Sequence, residues 1–373
     1  MPYIDLHDEP FDEGTIAKLE IFEDYAQAWI PTWVMQGPVV KNICVFDFFA
    51  GTGYDKNGVP GSPIRLLQKI KEQVGYIFQK DVKITLYLNE FEPKKSEQKK
   101  FSLLREACDE FLDHNPDLKR AIVIEYYNLD FEELFPMLLP QIQKFPSLVY
   151  LDQNGIKFLS EKYFMELEKT QQTDFLYFLS ASYVWRFGDS KEFKMHLDID
   201  LEEAKKRPYR FIHRSIIEQL RKKLPLGSKL KLYPYSIKKG ANIHGIIFGA
   251  KHPRAVDKFL TVAWNRNELN GQANFDIEEE IGYQHDLFAP VRLNKIQAFQ
   301  QLVRDKILAG EIRTNVDLLN LVHDEGHIGS HAADCVKEMK RKKELNYDGS
   351  SPLVTYENVF KKRRVLNYVI NQK

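Results

Sequence analysis

A short apolar stretch near the start of the chain carries the residues best suited to bind a small molecule. Asp47 interrupts a run that reads as a buried strand, and Gly51 and Gly53 follow it in the pattern Asp-x-x-x-Gly-x-Gly. Phe49 and Ala50 complete the segment. Glycine lets a backbone approach a ligand closely, and open α/β sheets bind ligands beyond the carboxyl ends of their strands. We therefore predict a ligand-binding loop after this strand.

The type of ligand follows from what the loop lacks. The third glycine of the dinucleotide pattern Gly-x-Gly-x-x-Gly would fall at Lys56, so that fingerprint fails. Glu90 closes the next predicted strand and can accept hydrogen bonds from ribose hydroxyls, while Glu125 and Asn128 follow the third strand and can contact adenine. These features suit a cationic nucleoside without a diphosphate, such as S-adenosylmethionine; the alternative is a glycine-rich turn that binds no ligand. The predicted cofactor-binding residues are Asp47, Phe49, Ala50, Gly51, Gly53, Glu90 and Asn128.

The elements that must position these residues alternate between strand and helix along the first half of the chain. Such alternation implies crossover connections and a mainly parallel sheet with helices on both faces. Two further predicted strands, at residues 229–237 and 243–250, form a hairpin. We expect Pro31 and Pro38 to break the first helix, at about residues 15–33, and Pro136 and Pro140 to interrupt a later one.

The predicted elements divide the chain into three parts. Residues 1–40 form an N-terminal helical segment. Residues 41–284 form an α/β domain with a helical insertion at about 189–226. Residues 285–373 contain three short helical patterns and a turn, which favour a helical, winged-helix-like domain.

Charge is balanced over the 373 residues but uneven along them. The 53 basic and 53 acidic residues exclude a strongly basic or acidic chain. Residues 204–223, however, contain eight basic residues against one acid, with aromatic residues between them, which suits phosphate contact and base stacking. Two more basic runs lie at 340–343 and 361–364; solvated helix faces are the alternative. The predicted nucleic-acid-binding residues are Arg207, Arg210, Arg214, Lys222, Lys340 and Arg341.

Cysteine and histidine usage argues against a disulfide framework and a metal site. The three cysteines are far apart, so we expect a reducing cytoplasm. No stretch approaches the roughly 18 apolar residues of a membrane span, and the acidic N-terminus is unlike a signal peptide. His323, His327, His331 and Cys335 recur every fourth residue, but glycines interrupt the run. We therefore predict no metal ion.

Several short motifs together resemble the class I methyltransferase superfamily and, more specifically, the three-Cys-motif partner family of bacteria, archaea and mobile elements. They are residues 47–53, the segment 61–64 that opens the next helix, Leu151-Asp152, and the stretch 247–252 with Ala263-Trp264. The resemblance covers roughly residues 10–280. It implies a Rossmann-like class I methyltransferase fold, S-adenosylmethionine as cofactor, and a partner protein that carries the three cysteines.

The segment after the fourth predicted strand departs from the family pattern. Family members usually have Asp-Pro, an aromatic residue and Gly there, whereas this chain has Asp152-Gln153-Asn154-Gly155. Base N-methylation by an Asp-Pro-Pro-Tyr type of loop is therefore not expected. No cysteine follows a proline, which excludes the cytosine-C5 mechanism. We predict that Asp152 is the catalytic residue and orients the substrate nucleophile; the alternative is that it caps a turn.

The function predicted from the sequence is a methyltransferase-like protein that binds S-adenosylmethionine and acts on nucleic acid. It would act together with a partner protein, in a mobile-element or phage-defence context. One alternative is a non-catalytic nucleic-acid-binding or assembly module that kept the fold. Another is a metal-dependent nuclease that uses Asp47, Glu125 and Asp152.

Overall fold

A computed structural model defines two compact units, residues 1–251 and residues 252–373, which we call the α/β domain and the C-terminal unit. The predicted boundary lay at 284/285, after a helix that the structure groups with the C-terminal unit. The structure describes residues 10–37, 39–92, 99–152, 160–180, 200, 202–203, 212–239, 242–274 and 293–371.

The α/β domain alternates strands and helices, as the hydrophobic pattern predicts. Its first half consists of α1 (Glu13–Val34), β1 (Asn42–Asp47), α2 (Ser62–Lys71), α3 (Val74–Lys80), β2 (Lys83–Asn89), α4 (Lys99–Asp113), α5 (Pro116–Ala121) and β3 (Ile122–Tyr127). Its second half consists of α6 (Phe131–Lys144), β4 (Ser147–Leu151), α7 (Glu161–Lys169), β5 (Thr173–Ser180), α8 (Ile212–Lys223), β6 (Lys231–Lys239) and β7 (Asn242–Ala250).

The sheet has seven strands in the order β3-β2-β1-β4-β5-β7-β6. The first five strands are parallel, and β7 runs antiparallel to both of its neighbours. The strand order reverses between β1 and β4, and open α/β sheets bind ligands at such a switch point. The predicted Rossmann-like class I methyltransferase fold with a C-terminal hairpin strand is confirmed.

Aromatic side chains form the core beneath the end of β1. Phe46 and Phe48 are fully buried, and the Phe48 ring lies edge-on to Phe131 of α6, with ring centroids 5.1 Å apart. Phe131 in turn contacts Phe135 and Tyr163, at centroid distances of 5.4 and 4.9 Å. This cluster anchors the start of the loop that follows β1.

Three of the prolines expected to break helices lie inside continuous ones, and Pro38 lies outside the described residues. Pro31 lies within α1, and Pro136 and Pro140 lie within α6. A proline removes the hydrogen bond to the carbonyl four residues earlier. In each case that earlier residue (Gln27, Glu132 and Pro136) is exposed, so water can satisfy the carbonyl.

The C-terminal unit is built around its own hydrophobic core. It contains α9 (Pro253–Arg266), α10 (Lys295–Leu308), α11 (Asn315–Asp324), α12 (Gly329–Arg341), β8 (Leu345–Asn346), a π-helical turn (Glu357–Lys361) and β9 (Val369–Ile370). β8 pairs antiparallel with β9, and Thr314 bridges to Asn367, which adds a third short strand position. Three helices followed by this small sheet form the predicted winged helix. Trp264 of α9 donates a hydrogen bond to the Gly326 carbonyl at 3.0 Å, which ties α9 to this unit.

None of the described helices is both long enough and apolar enough to cross a membrane.

Candidate cofactor and acceptor site

The loop after β1 has the backbone conformation that its glycines predict. Gly51 and Gly53 have φ values of 69° and 90°, in the left-handed region that side chains disfavour. A Cβ atom on Gly53 would lie 2.6 Å from the Cβ of Ala107 on α4. The Gly53 carbonyl accepts a hydrogen bond from the Gly61 amide at 2.8 Å, which closes the loop onto the start of α2. Gly53 therefore permits both the turn and the close approach of α4.

Asp47 supports this loop from below. Its side chain is 1% exposed, and its carboxylate accepts hydrogen bonds from the Ser62 hydroxyl at 2.5 Å and the Phe49 amide at 3.2 Å. Burial raises the pKa of Asp47 to about 7, and the nearby Asp152 and Glu90 carboxylates add to the increase, against the lowering effect of the two hydrogen bonds. Asp47 thus joins the end of β1 to the start of α2.

Glu90 contacts the glycine loop directly. Its Oε2 accepts a hydrogen bond from the Gly51 amide at 2.9 Å, which fixes the carboxylate beside the loop. The preceding Asn89 is buried, and its side-chain amide donates to the carbonyls of Phe48 and Leu129 at 3.0 and 3.2 Å. Its Oδ1 also accepts from the Leu129 amide at 3.1 Å. One asparagine therefore holds together the loops after β1, β2 and β3.

The other residues predicted at this site have mostly structural contacts. Ala50 is buried, and its amide donates to the Asn89 carbonyl at 2.9 Å. The Phe49 ring stacks on Phe131 with centroids 5.6 Å apart. Asn128 accepts a hydrogen bond from the Glu92 amide at 2.8 Å, which ties the end of β3 to the segment after β2.

Glu125 does not join this group. It pairs in register with Tyr87, which pairs with Phe46, so it lies one position before the row of Asp47. Successive strand residues point to opposite faces of a sheet, and Glu125 therefore faces away from Asp47. Within the described ranges, no three histidine, cysteine, aspartate or glutamate side chains are placed to hold a metal ion. The geometry gives no support to a nuclease centre of Asp47, Glu125 and Asp152.

Asp152, the predicted catalytic residue, lies directly after β4 and is paired with a lysine. Lys18 of α1 places its Nζ 2.8 Å from Asp152 Oδ1, and the two side chains are only 13% and 15% exposed. The Tyr150 hydroxyl donates to Asp152 Oδ2 at 3.4 Å, and Lys18 Nζ lies 4.2 Å from the centre of the Phe178 ring on β5. A half-buried cation and anion thus lie together at the ends of β4 and β5.

Lys18 is the site residue that the sequence reasoning missed. Residues 1–24 contain eight acids and Lys18 as their one base, so an isolated base within an acidic segment was the available signal. The site has two neighbouring parts. We call the ends of β1 and β2, with the glycine loop and Glu90, the cofactor edge. We call the ends of β4 and β5, with Asp152 and Lys18, the acceptor edge.

The residues predicted to bind nucleic acid have varied surroundings. Arg207 and Arg210 lie outside the described residues, and Arg214 is half-buried. Lys222 is exposed and lies 3.5 Å from Glu203. Arg341 is also exposed, with its guanidinium 3.9 Å from Glu338.

The Lys340 side chain makes structural contacts within the C-terminal unit. Its Nζ donates to the carbonyls of Tyr347 and Gly349 at 2.6 and 2.9 Å, and it lies 4.0 Å from the centre of the Tyr347 ring. These contacts attach the chain after β8 to α12. The Lys340 ammonium group is therefore engaged in contacts within the winged helix.

The histidines predicted not to bind metal are packed among aromatic rings. His327 and His331 place their Nδ1 atoms 3.0 Å apart, and Phe299 stacks on His327 with centroids 3.9 Å apart. Burial and the charge of Lys295 lower the pKa of His327. The pair forms a neutral hydrogen-bonded contact in the core of the C-terminal unit.

From two buried carboxyl groups we predict that the stability of the folded protein falls as pH rises towards 7. Asp174 at the start of β5 accepts a hydrogen bond from Tyr25 at 2.7 Å, and burial raises its pKa to about 7, the same value as for Asp47. Because the folded state holds these protons more tightly than the unfolded chain, their stabilising contribution is full below about pH 4 and is lost as pH rises through about 7.

We expect Asp47→Asn and Asp174→Asn each to remove part of this pH dependence, and the double variant to remove most of it. The effect is at most about 4 kcal/mol for each carboxyl between pH 4 and 7. Urea unfolding at several pH values measures it. The same slope in the wild type and the double variant would contradict the assignment.

One family model matches a segment within the C-terminal unit. Residues 274–352 match the family model described as a GMT-like wHTH domain. A search of curated proteins gives no match.

Several solved structures are similar to part of this chain at low identity and low TM-score. An O-methyltransferase from Klebsiella pneumoniae is 12% identical, with a TM-score of 0.32, over 64% of this chain and 90% of that one. TomG from Streptomyces achromogenes, an O-methyltransferase of tomaymycin synthesis solved with SAM, is 10% identical with a TM-score of 0.32, over 64% and 89% of the two chains. An O-methyltransferase from Bacillus cereus, solved with SAH, is 13% identical with a TM-score of 0.30, over 64% and 91%.

Proposed function

We propose that the protein binds S-adenosylmethionine at the cofactor edge and transfers its methyl group to a nucleic acid at the acceptor edge. The observation that carries the proposal is the Glu90 carboxylate, fixed by the Gly51 amide beside a left-handed glycine loop. This arrangement stands beyond the ends of β1 and β2, next to the point where the strand order reverses.

The residues of the cofactor edge fit this cofactor. A carboxylate has several acceptor positions, so Glu90 can take ribose hydroxyls in addition to the Gly51 amide. The glycine loop lets the cofactor approach the backbone, and Asn128, after β3, is the residue proposed to contact adenine. Asp47 is buried under the loop and acts by holding it in place. When bound, S-adenosylmethionine supplies a methyl group on a cationic sulfur.

The acceptor edge offers a charged pair that can orient a nucleophile. Asp152 can accept a hydrogen bond from a hydroxyl or amine, and Lys18 can stabilise negative charge that develops on the acceptor atom. Methyl transfer needs mainly proximity and alignment, which side chains fixed by packing provide. Both groups are held by contacts with Tyr150 and Phe178.

A nucleic acid is the proposed substrate because the winged helix and the basic runs suit one. We also propose, on the family resemblance, a three-Cys-motif partner protein and a role in a mobile-element or phage-defence setting. The cysteine usage leads us to propose a cytoplasmic location. Co-purification of the full chain with a three-Cys-motif protein is the direct check of the partner.

Calorimetric titration with S-adenosylmethionine tests the cofactor part. We expect the wild type to bind, and Glu90→Gln to bind at least about tenfold more weakly, because a hydrogen bond to a charged group contributes about 1.5–3 kcal/mol. Glu125→Gln, the same change on the exposed edge strand β3, is the matched control and should bind normally. No binding by the wild type would disprove the cofactor assignment, and equal binding by Glu90→Gln would disprove the role of Glu90.

A second candidate is a non-catalytic nucleic-acid-binding module. The observation that favours it is the ion pair itself, because Lys18 already occupies one oxygen of the candidate catalytic carboxylate. Nucleic-acid binding without binding of S-adenosylmethionine would select this candidate.

A further inference from the structure

A run of four basic residues in the C-terminal unit is exposed. The run begins at Lys361, the last residue of the π-helical turn, and continues towards β9 through Lys362, Arg363 and Arg364. All four residues are exposed, as is Val365. We call residues 361–364 the basic turn. It belongs to the arm between β8 and β9, which is the wing position of a winged helix.

The backbone of the basic turn is held firmly although its side chains are exposed. Asn315 at the start of α11 is completely buried, and its side-chain amide donates to the Arg364 carbonyl at 3.0 Å. Its Oδ1 accepts a hydrogen bond from the Leu366 amide at 2.8 Å. Arg363 has a φ of 51°, a left-handed conformation that is rare for a residue other than glycine. Rigid, strained positions of this kind concentrate at functional sites.

The charges of the basic turn are only partly neutralised. Lys361 and Lys362 share Glu357, at 3.3 and 3.5 Å. Arg363 and Arg364 make no ion pair with any carboxylate in the described part of the chain. Two neighbouring guanidinium groups are therefore directed to solvent from a fixed backbone.

The third helix of the winged helix, α12, has the opposite character. DNA-binding units of this type usually place that helix in the major groove. Here its exposed acids pair with its own bases: Lys337 lies 3.2 Å from Asp334, and Lys342 lies 2.7 Å from Glu338. The surface of α12 is thus nearly balanced in charge, which makes it a poor match for a polyanion.

We propose that the basic turn, and not α12, is the surface through which the protein contacts the phosphate backbone of a nucleic acid. The proposal rests on the nucleic-acid part of the proposed function and assigns it to particular residues. Arginine presents a planar set of donors that matches phosphate oxygens. Val365, which is 64% exposed, directly follows the turn and suits contact with sugar edges. Such contacts fix position without reading sequence.

Fluorescence anisotropy with a labelled DNA duplex and the matching RNA duplex, over a series of salt concentrations, tests the proposal. For Arg363→Gln/Arg364→Gln we expect at least about tenfold weaker binding. We also expect the slope of log K against log salt to fall by about two, one for each lost phosphate contact. The comparison variant, Lys337→Gln/Arg341→Gln, removes two charges from α12, one of them at a residue that the sequence predicts to bind nucleic acid. If the basic turn is the contact surface, this variant should bind within about twofold of the wild type.

The outcomes separate the two proposals. Binding by the wild type that is lost only in the α12 variant overturns the assignment to the basic turn and leaves the proposed function intact. A wild type that binds neither duplex at low salt contradicts the nucleic-acid part of the proposed function itself. Unchanged duplex binding by the arginine variant, together with lost binding of a polyglutamate peptide, would assign the turn to an acidic protein and overturn the proposal. Arg363→Lys/Arg364→Lys keeps the charge and should retain the salt slope. It is the variant to measure if the glutamine variant fails to fold.

Discussion

Asp152→Asn is expected to slow methyl transfer by about 10²–10⁴-fold while binding S-adenosylmethionine nearly as well as the wild type. The substitution keeps the shape of the side chain but removes the charge that faces Lys18 and the acceptor atom. The cofactor edge, with Glu90 and the glycine loop, is left intact. Transfer of labelled methyl groups from S-adenosylmethionine to DNA and RNA measures the rate, and calorimetry measures binding. An unchanged rate would exclude Asp152 from the reaction.

A double-mutant cycle with Lys18→Met shows whether the two residues act as a pair. Because both side chains are mostly buried, we expect each single variant to lose about 1–3 kcal/mol of stability and the coupling to be about 1 kcal/mol or more. The exposed pair of Lys41 and Asp81, 2.7 Å apart with side chains 60% and 87% exposed, is the matched control. Its coupling should be at most about 0.5 kcal/mol. Equal coupling in the two pairs would contradict a buried ion pair at the acceptor edge.

Gly53→Ala is expected to have a large effect on both stability and cofactor binding. At a φ of 90° a side chain is strained by about 1–2 kcal/mol, and the new methyl group would lie 2.6 Å from Ala107. Overpacking of this kind adds about 1–3 kcal/mol. Relief of this contact requires the loop to move. A movement that costs about 1.4 kcal/mol of binding free energy weakens the binding of S-adenosylmethionine about tenfold, and we expect at least this loss.

Gly58→Ala is the matched control, because Gly58 has a φ of 78° with nothing within 4 Å of the added atom. We expect Gly58→Ala to lose only the stability that corresponds to the backbone strain. Adding Ala107→Gly to Gly53→Ala should restore part of the lost stability, since it removes the contact and leaves the strain. Chemical denaturation and calorimetry measure the four proteins. Equal losses for Gly53→Ala and Gly58→Ala would show that the packing against α4 is unimportant.

The grouping of these predicted residues at one edge of the sheet could be predicted because its signals are local. Asp47, Gly51 and Gly53 lie within one strand and its loop, and Glu90 ends the next predicted strand, so alternation of strands and helices brings them to one edge. Lys18 was not predictable in the same way. Its position beside Asp152 depends on which face of α1 packs on the sheet and in which direction the helix runs. The local sequence determines neither.

For charge runs and prolines, too, the local sequence does not determine the contacts made in the fold. Lys340 lies in a basic run, yet its ammonium group binds two backbone carbonyls. Pro136 and Pro140 stay inside α6 because the carbonyls they leave unpaired belong to exposed residues. In each case residue type indicates what a side chain can do, whereas the partner that it meets in the fold decides what it does.

The first helix prepares the acceptor edge before any ligand arrives. The chain is attached by the Phe11 amide to Asp55 at 2.8 Å, by Lys18 to Asp152, and by Tyr25 to Asp174. A free lysine has many rotamers, and freezing it costs up to about 2 kcal/mol. Here that entropy is lost once, when α1 packs on the sheet, and not again for each substrate. The cation of Lys18 is thus preorganised by folding, which is the condition under which a fixed charge contributes most to a transition state.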